Sequence, residues 1–520
     1  MLPQELSTDI CSLRPNEDRL VLSCIMLLDD AGRIESFEIV EGVIRSAERM
    51  TYTDVHAILE GDAATRLRYA ALVPDFERMK LLAVLMNQRR EERGSIDFDL
   101  PEPVIEFDKH GQMRGVTKSE RTWANRLIKE FMLAANECVA TWLEDLGVPS
   151  LYRIHEKPEP RRVVQFEELA ASFGYSLGLG PLPVKRVVTR QDRRASQRTG
   201  RPARSLEVPE DIAVTPRMYQ KLAARIEGKP EERILSYLML RSLSQARYSE
   251  INEGHFALAA PTYTHFTSPI RRYPDLIVHR IAKALLRSGV PGQRTITQSR
   301  LSSPWSHPNE GRSGSESSHQ SRVPQVRGPH GQVFVRGVEI PILRPGKPQN
   351  STFPPPISEP ELAQIAEESS QAERRAAEAE RELVEWKKVR FMQDRVGDEF
   401  AALVLNPAKY GLFVELTDLF VEGLVPIDTL RGDRYTWREN THEIVGERTG
   451  RTFRAGDRVQ VILDRILAQE RKLQFALVEE GLVLTGRKSA HSPPKPKKNR
   501  HKGAPHPNNK KGKAKKGRRR

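Results

Sequence analysis

The chain has 520 residues, of which 38% are hydrophobic and 29% are charged, proportions that are ordinary for a soluble protein of roughly two to four domains. The longest apolar runs, such as LLAVLM from Leu81, are far shorter than the about 20 residues of a membrane-spanning helix, so no membrane span is predicted. The N-terminus has no basic stretch followed by an apolar core, which argues against a secretory signal and favours a cytoplasmic protein.

Residues 1–287 are predicted to form the first folded domain. It begins with two runs that alternate apolar and polar residues, RLVLSCIMLL and IESFEIVEGVI, and this pattern indicates a β-hairpin with a turn at Asp30 and Gly32. A helix is predicted from about Ser119, because apolar residues recur at helical spacing and Gly147 can close the C-terminus. The recurring residues are Trp123, Leu127, Phe131, Ala135, Cys138 and Trp142.

The stretch THFTSPIRRYPDLIVHR, residues 264–280, places two adjacent arginines directly before a predicted helix. Proline suits the first turn of a helix and restricts the residue before it, so the helix is predicted to start near Pro274. Arg271 and Arg272 would then precede a helix N-terminus, where free amide groups, the helix dipole and planar guanidinium groups favour a phosphate. A surface salt-bridge pair fits the same two residues equally well, and the residues alone leave both interpretations open.

Three histidines lie in or near this stretch: His255, His265 and His279. Histidine is a common metal ligand, but no carboxylate is patterned with these three residues. We therefore expect them to be packed or hydrogen-bonded inside the fold rather than to bind a metal.

Residues 288–360 are predicted to be a low-complexity insertion. The segment is dense in Ser, Pro and Gly and poor in aliphatic residues, a composition that does not form a packed core. Residues 361–393, which include ESSQAERRAAEAERELVEWKKVRFM, are predicted to form one long charged helix.

Residues 394–480 alternate apolar and polar residues in short runs divided by Gly and Asp, which is the pattern of a five-stranded OB-fold β-barrel. Tyr410 and Phe413 fit the aromatic positions that stack bases in such barrels, and Lys409 is close enough in sequence to contact phosphate. A role for Phe413 in the core of the barrel is the alternative.

Residues 481–520 are predicted to be a disordered basic tail. Of the formal net charge of +14, the segment 487–520 supplies fifteen Lys and Arg and no Asp or Glu, so the rest of the chain is close to neutral. A tail rich in Pro, Gly, Lys and Asn cannot bury enough apolar surface to offset the entropy of ordering. It is either a solvated segment without a ligand or a polycation that binds nucleic-acid phosphates, and its charge density favours the second.

The stretch GHFALAAPTYTHFTSPIRRYPDLIVHR resembles the signature of the ribonuclease II and ribonuclease R family, processive 3′-to-5′ exoribonucleases with an RNB domain. Further blocks resemble the family in the family's order and cover most of residues 1–480 outside the insertion. These blocks are MLPQELSTDICSLRPNEDRLVLSCIM, VIRSAERMTYTDV, RGSIDFDLPEP, NRLIKEFMLAANECVA, LYRIHEKPEP and AEAERELVEWKKVRFM. The resemblance implies an α+β fold: the C-terminal portion of an RNB catalytic domain in 1–287, its final helix in 361–393, and an OB-fold RNA-binding domain in 394–480.

The resemblance also implies roles for individual residues. Arg271, in the block TSPIR, matches the arginine that the family places on the phosphate at the cleavage site, and Arg272 is expected to contact RNA beside it. Four further residues match contacts to the RNA, two aromatic rings at the bases or ribose and two carboxylates at ribose hydroxyls: Tyr52, Phe98, Glu130 and Glu380. Without the family, the rings would be assigned to the core and the glutamates to solvated helix faces.

The family cuts RNA with Mg²⁺ held by a block of aspartates that precedes the M-L-P block. This sequence starts at the M-L-P block, so the aspartate block and the N-terminal cold-shock domains are absent from it. Asp29 with Asp30 has the pattern of a turn, and Asp97 with Asp99 lies in the block of Phe98, so neither pair is expected to replace it. Metal-dependent hydrolysis needs carboxylates to hold the ions, so we expect no hydrolysis from this chain alone.

Two functional classes are therefore open. The first is an exoribonuclease, or the larger part of one, that hydrolyses single-stranded RNA processively to nucleoside 5′-monophosphates. The second is a non-catalytic RNA-binding protein. A truncated or mis-started gene product is the simpler explanation for the missing block, and a separately encoded N-terminal half is the alternative. The expected partners are single-stranded RNA and, as further candidates, the ribosome or RNA-decay factors, with a monomeric chain and no membrane.

Overall fold

The computed structural model describes most of the chain, namely residues 2–97, 103–110, 113–118, 122–180, 185–188, 205–208, 212–229, 231–295, 356–438, 443–467 and 471–478. Three sequence predictions lie outside the described residues: Phe98, almost all of the 288–360 insertion, and the 481–520 tail. Among the described helices, none has the length and apolar character that a membrane span requires.

The first sheet is built on the predicted hairpin. Strand β1 (Asp18–Leu28) pairs antiparallel with β2 (Ile34–Arg45), and β9 (Gln293–Thr295) pairs with the other edge of β2. Alternate side chains of a strand point to the same face, so Phe37 and Ile39 of β2 are buried together. This face of the sheet is covered by helices.

The turn between β1 and β2 confirms the predicted one. The Asp29 carboxylate accepts hydrogen bonds from the backbone N–H groups of Ala31 and Arg33 at 2.9 and 2.7 Å, which is the Asx turn that favours Asp at this position. Gly32 has φ of 75°, and a Cβ there would lie 2.9 Å from the Cβ of Leu85. Both the backbone conformation and the space therefore favour glycine.

Four helices follow this sheet: α1 (Tyr52–Glu60), α2 (Ala63–Arg68), α3 (Val73–Arg93) and α4 (Trp123–Asp145). The helix that was predicted from about Ser119 starts at Trp123, because Thr122 still has extended backbone with ψ of 163°. Three residues of the predicted apolar face of α4, Leu127, Cys138 and Trp142, are buried together with Val139 and Leu143. The other three predicted residues, Trp123, Phe131 and Ala135, are partly buried.

The rest of the first domain consists of further helices and short two-stranded sheets. The helices are α5 (Pro160–Ser172), α6 (Pro216–Ile226), α7 (Glu232–Ser242) and α8 (Tyr273–Arg287). The antiparallel pairs are β3 (Pro103–Phe107) with β4 (Met113–Lys118), β5 (Tyr152–Ile154) with β8 (Arg247–Ser249), and β6 (Lys185–Val188) with β7 (Ser205–Val208).

The buried side chains of this domain form two cores. The sheet core lies between the first sheet, α4 and α8, with members such as Phe37, Ile39, Val139, Trp142, Ile277 and Ile281. The helical core lies among α5, α6 and α7, with members such as Val163, Phe166, Tyr219, Leu222, Leu235 and Met239.

Helix α9 (Glu359–Met392) connects the first domain to the strands that follow. It corresponds to the long charged helix predicted at 361–393. Near its start, Leu362 and Ala366 are buried in the sheet core. At its end, Val389 and Met392 are buried in the core of the next domain. The residues between these two contacts are mostly exposed, which agrees with their charged sequence.

Five strands of the last domain pair in a closed ring in the order β10, β11, β12, β17, β16. They are β10 (Glu399–Ala408), β11 (Gly411–Leu416), β12 (Glu422–Pro426), β16 (Arg458–Leu467) and β17 (Lys472–Leu477). A separate sheet lies between β12 and β16 in the chain and contains β13 (Tyr435–Arg438), β14 (Glu443–Gly446) and β15 (Thr452–Phe453). The ring core includes Val404, Leu412, Val414, Val425, Leu463 and Phe475.

The ring is docked on the helical core through strand β10. Leu403 and Leu405 are 7% and 5% exposed and belong to the helical core, whereas Val404 between them faces the ring core. The alternation of side chains along a strand lets β10 serve both cores. At the same interface the Arg233 guanidinium lies 4.5 Å from the centroid of the Phe420 ring.

Replacing Leu405 with Ala is expected to destabilise the protein by roughly 2–4 kcal/mol, because a buried leucine loses its contacts and leaves a cavity between two domains. The measurement is the urea concentration at the unfolding midpoint. Tyr410→Ala is the control, since Tyr410 lies just beyond the end of the same strand and is 58% exposed. Equal midpoints for the two variants would show that β10 is not docked on the helical core.

Candidate functional site

The loop before α8 carries an exposed arginine on a tight backbone turn. The backbone N–H groups of Arg271 and Arg272 donate to the carbonyl of Ser268 at 3.1 and 3.0 Å. The Arg271 guanidinium is exposed, and its Nη2 donates to the hydroxyl of Ser268 at 3.1 Å. Helix α8 starts at Tyr273, within one residue of the predicted start. Arg271 therefore presents a fixed positive charge to solvent beside a helix N-terminus.

Arg272 points the other way and is held by a buried carboxylate. Its Nε and Nη2 atoms donate to the two oxygens of Asp275 at 2.8 and 2.7 Å. Asp275 is 0% exposed and also accepts the backbone N–H of Ser268 at 2.8 Å. The salt-bridge interpretation thus describes Arg272, whereas Arg271 is exposed and the phosphate site stays a prediction for it. The RNA contact expected of Arg272 stays a prediction. Its side chain is already paired with Asp275.

Hydrogen bonds to neighbouring elements fix the position of the loop. Asn136 of α4 accepts the backbone N–H of Phe266 at 2.9 Å, and the Thr264 hydroxyl donates to the carbonyl of Leu151 at 2.6 Å. His279 of α8 lies 2.8 Å from the Phe266 carbonyl through its Nε2 atom and stacks on the Phe266 ring at 4.5 Å between centroids. A loop held at this many points loses little further freedom when a ligand binds.

The histidines of this region are packed and hydrogen-bonded, as predicted. His265 Nδ1 lies 2.8 Å from the Tyr248 hydroxyl, and His255 Nδ1 accepts the backbone N–H of Leu258 at 3.3 Å. Burial lowers the pKa of His265 to about 3, with Arg272 and Arg153 lowering it further. Burial also lowers the pKa of His255 well below its ordinary value. Fixed positive charge in this region therefore comes from guanidinium groups rather than from imidazolium.

Helix α9 is attached to the strand pair β5–β8, whose Tyr248 also contacts His265 of the loop. The Ser370 hydroxyl accepts the backbone N–H of Tyr248 at 3.0 Å, and Glu373 forms a bidentate pair with Arg153 at 2.6 and 3.0 Å. Glu380, a predicted RNA contact, is exposed and follows Glu373 by two helical turns. It therefore lies on the same face of α9, about 10 Å further along the axis.

Glu130, another predicted RNA contact, is engaged in an internal ion pair. Its carboxylate is 3% exposed and accepts hydrogen bonds from Arg90 Nε and Nη2, the latter at 2.9 Å. The same Nη2 donates to Asp97 at 2.9 Å, and Lys129 Nζ donates to Asp97 at 2.9 Å. Burial alone would raise the pKa of Asp97, but these two cations hold it below the ordinary value. An RNA contact by Glu130 stays a prediction and would require this pair to open.

The sequence interpretation missed Arg90. Its side chain is buried at 5% exposure in the last turn of α3, and it joins α3 to α4. Arg90 lies in the charged run NQRREER, and nothing in that run distinguishes it from its exposed neighbours. Tyr52 was identified by resemblance alone, and it is 53% exposed at the first position of α1 rather than in the core.

An exposed pair of aromatic rings lies where β10 turns into β11. Tyr410 is 58% exposed, and its ring lies 5.7 Å from that of Phe413 at an interplanar angle of 87°. Phe413 is half-buried, while Leu412 and Val414 on either side are buried in the ring core, so the core alternative for Phe413 is not supported. A Cβ on Gly411 would lie 2.1 Å from the carbonyl oxygen of Val425, which restricts position 411 to glycine.

The described residues do not offer a site for the Mg²⁺ that the resemblance implies. Over these parts of the chain, no group of three or more His, Cys, Asp or Glu side chains is placed to hold a metal ion. Asp29 is engaged in its turn, and Asp97 is paired with Arg90 and Lys129.

Comparison with protein families identifies the two domains. Residues 1–288 match the model of the RNB domain, and residues 393–477 match that of the S1 RNA binding domain. The first match covers more than half of the chain, so the chain belongs to the RNB domain family, and an S1 domain, which is of OB-fold type, follows its RNB domain. The family resemblance predicted from the sequence blocks is confirmed.

The named relatives are ribonucleases R. The chain is 35% identical to ribonuclease R of Aquifex aeolicus over 480 residues, 92% of this chain and 55% of that protein. It is 33% identical to ribonuclease R of Escherichia coli over 478 residues, 92% of this chain and 48% of that protein. The chain thus spans about half the length of the curated relatives it matches.

A solved structure shares the fold. Mycoplasma genitalium RNase R in complex with ribose methylated single-stranded RNA has a TM-score of 0.67 to this chain at 21% identity. The alignment covers 92% of this chain and 60% of that one. At this level of identity the likeness shows the fold alone.

Replacing Arg272 with Ala is expected to lower the free energy of unfolding by roughly 3 kcal/mol, because the buried Asp275 charge loses its partner. Arg271→Ala is the matched control, and an exposed substitution should change stability by less than about 0.5 kcal/mol. Urea denaturation of both variants is the measurement. A smaller loss for Arg272→Ala than for Arg271→Ala would contradict the assignment of the two arginines.

The histidines predict a pH dependence of stability. Because the pKa of His265 falls from 6.5 to about 3 on folding, the unfolded chain binds more protons between these values. Stability is therefore full above about pH 6.5 and is lost as the pH falls towards 3. His265→Gln cannot titrate, so its melting temperature should fall less than that of the parent between pH 7 and pH 5. An identical fall in both proteins would contradict a buried neutral His265.

Proposed function

We propose that this chain binds single-stranded RNA and forms the RNB and S1 portion of a 3′-to-5′ exoribonuclease of the ribonuclease R type. The observation that carries the proposal is the exposed Arg271 guanidinium on a loop fixed by buried partners. The Mycoplasma genitalium RNase R complex, which contains ribose methylated single-stranded RNA, supports RNA as the ligand class.

Arg271 is proposed to hold a phosphate of the RNA. A guanidinium group offers planar N–H donors that match two phosphate oxygens, and the neighbouring N-terminus of α8 adds the positive end of a helix dipole. Positive charge that is fixed in advance also stabilises the negative charge that develops when a phosphodiester is attacked. Arg272 contributes by orientation, because its pair with Asp275 sets the direction of the loop.

The S1 domain is proposed to grip the strand by stacking. Tyr410 and Phe413 present a perpendicular pair of aromatic rings beside the exposed Lys409. The closed ring of five strands in this domain is proposed to act as an OB-type barrel. Every base has a π-face, so stacking holds RNA of any sequence, as a processive enzyme requires. Tyr52 at the start of α1 is proposed as a second stacking residue.

Hydrolysis to nucleoside 5′-monophosphates is proposed for the complete family architecture, with Mg²⁺ as its cofactor. For this polypeptide by itself we propose no hydrolysis, because metal-assisted cleavage needs carboxylates that the described residues do not bring together. That observation also favours the alternative function, a non-catalytic RNA-binding protein. A cytoplasmic monomer that meets ribosomes or RNA-decay factors is part of the proposal.

Arg271→Ala is expected to weaken binding of a labelled single-stranded RNA by about tenfold or more, since hydrogen bonds to charged groups contribute about 1.5–3 kcal/mol. Loss of one phosphate contact should also reduce the slope of log K against log salt by about 0.7. Fluorescence anisotropy over a salt series measures both. Arg287→Ala, an exposed cation at the far end of the same helix, is the control.

The same RNA, incubated with Mg²⁺, tests the two functions. Nucleotide release that a chelator abolishes would overturn the proposal that this polypeptide does not hydrolyse RNA.

In the binding experiment, equal affinity of the parent and Arg271→Ala at every salt concentration would overturn the phosphate site.

A further inference from the structure

Two exposed aromatic rings from distant parts of the sequence flank one lysine where hairpin β3–β4 meets the end of α9. Phe107 of β3 is 52% exposed and Trp386 of α9 is 39% exposed. The Lys387 ammonium lies 5.4 Å from the centroid of the Phe107 ring and 5.3 Å from that of the Trp386 ring. The Arg390 guanidinium lies 5.8 Å from the Trp386 ring. These four residues are called the hairpin–helix patch.

The rings of the patch are not needed to fill a core. Trp386 lies one helical turn before Val389, which is buried in the ring core, and next to Lys388, whose ammonium donates to the carbonyl of Phe420. These contacts fix the rotation of α9, and neither Trp386 nor Phe107 belongs to a hydrophobic core of the described residues. Large rings held at an exposed position, rather than packed inside, indicate a ligand with flat apolar surfaces.

The charges around the patch narrow the choice of ligand. Lys387 and Arg390 belong to the patch, and Arg114 is exposed beside Met113, the cross-strand partner of Phe107. Glu106 is exposed next to Phe107, and Glu385 is exposed next to Trp386. Cations and carboxylates therefore alternate, so phosphate attraction alone would be weak. The bases of a single strand suit the rings, and the exposed Arg390 can meet a neighbouring phosphate.

We propose that the hairpin–helix patch is a further contact for single-stranded RNA, with bases stacked on Trp386 and Phe107. This inference rests on the proposed function, since it takes RNA as the ligand. Its position supports it: α9 runs from Ser370, which bonds Tyr248 of β8, the partner of His265 in the Arg271 loop, to the S1 domain. Trp386 lies about 24 Å along the axis from Ser370. A strand that reaches from the S1 domain to Arg271 can follow this helix.

The test is the RNA affinity of Trp386→Ala, Phe107→Ala and the double variant, measured by anisotropy with a labelled oligonucleotide of mixed sequence. Stacking contributes about 1–3 kcal/mol per base, so each single variant should bind roughly 5- to 150-fold more weakly. The slope of log K against log salt should stay that of the parent, because no phosphate contact is removed. Trp386→Phe keeps a ring and should retain most of the affinity.

Leu383→Ala is the matched control, since Leu383 is one turn before Trp386 on the same helix and is 57% exposed. It should bind RNA like the parent, and all variants should melt like the parent. Unchanged affinity in the double variant would overturn the inference. Self-association of the parent that the double variant loses, with RNA affinity unchanged, would assign the patch to a protein contact and overturn it as well.

The inference and the proposed function fail in different ways. If the parent binds RNA and Arg271→Ala weakens binding while the patch variants do not, only the inference is overturned. If the parent does not bind RNA at all, both are overturned.

Discussion

The arrangement of the candidate site depends on one buried carboxylate. Asp275 is inaccessible to solvent and lies in the first turn of α8, where the helix dipole favours negative charge. A charge at this depth is tolerated only when it is paired and hydrogen-bonded, and Arg272 with the N–H of Ser268 meets this requirement. The carboxylate therefore draws Arg272 inward and closes the loop. Arg271, the adjacent residue, is left facing solvent.

Side chains of the RNB domain are buried in the core of the S1 domain, and side chains of the S1 domain are buried in a core of the RNB domain. The two domains therefore do not pack as independent bodies. Strand β10 places Leu403 and Leu405 in the helical core and Val404 in the ring core, while α9 is buried at one end in the sheet core and at the other in the ring core. The aromatic pair of the S1 domain and the Arg271 loop thus belong to one packed structure. Ligand groups held in advance cost less entropy on binding than groups on mobile domains.

Much of the candidate site was accessible from the sequence, though through resemblance rather than through local physics. The block TSPIR identified Arg271, and the alternation of residues around Tyr410 located the exposed aromatic pair. Neither route could foresee that Glu130 is buried against Arg90. These two residues lie 40 positions apart, and only the crossing of α3 and α4 brings them together. An isolated helix pattern does not contain that information.

The sequence by itself determined the family, the hairpin with its turn at Gly32, the start of α8 near Pro274 and the alternating strands of the S1 domain. The family was recognised from sequence blocks, and the other three depend on spacing or on backbone preferences within a few residues. The tertiary structure decided which of two adjacent arginines is buried in an ion pair and which is exposed. The reason is physical: the two side chains have the same chemistry, and only their distance to the buried carboxylate differs.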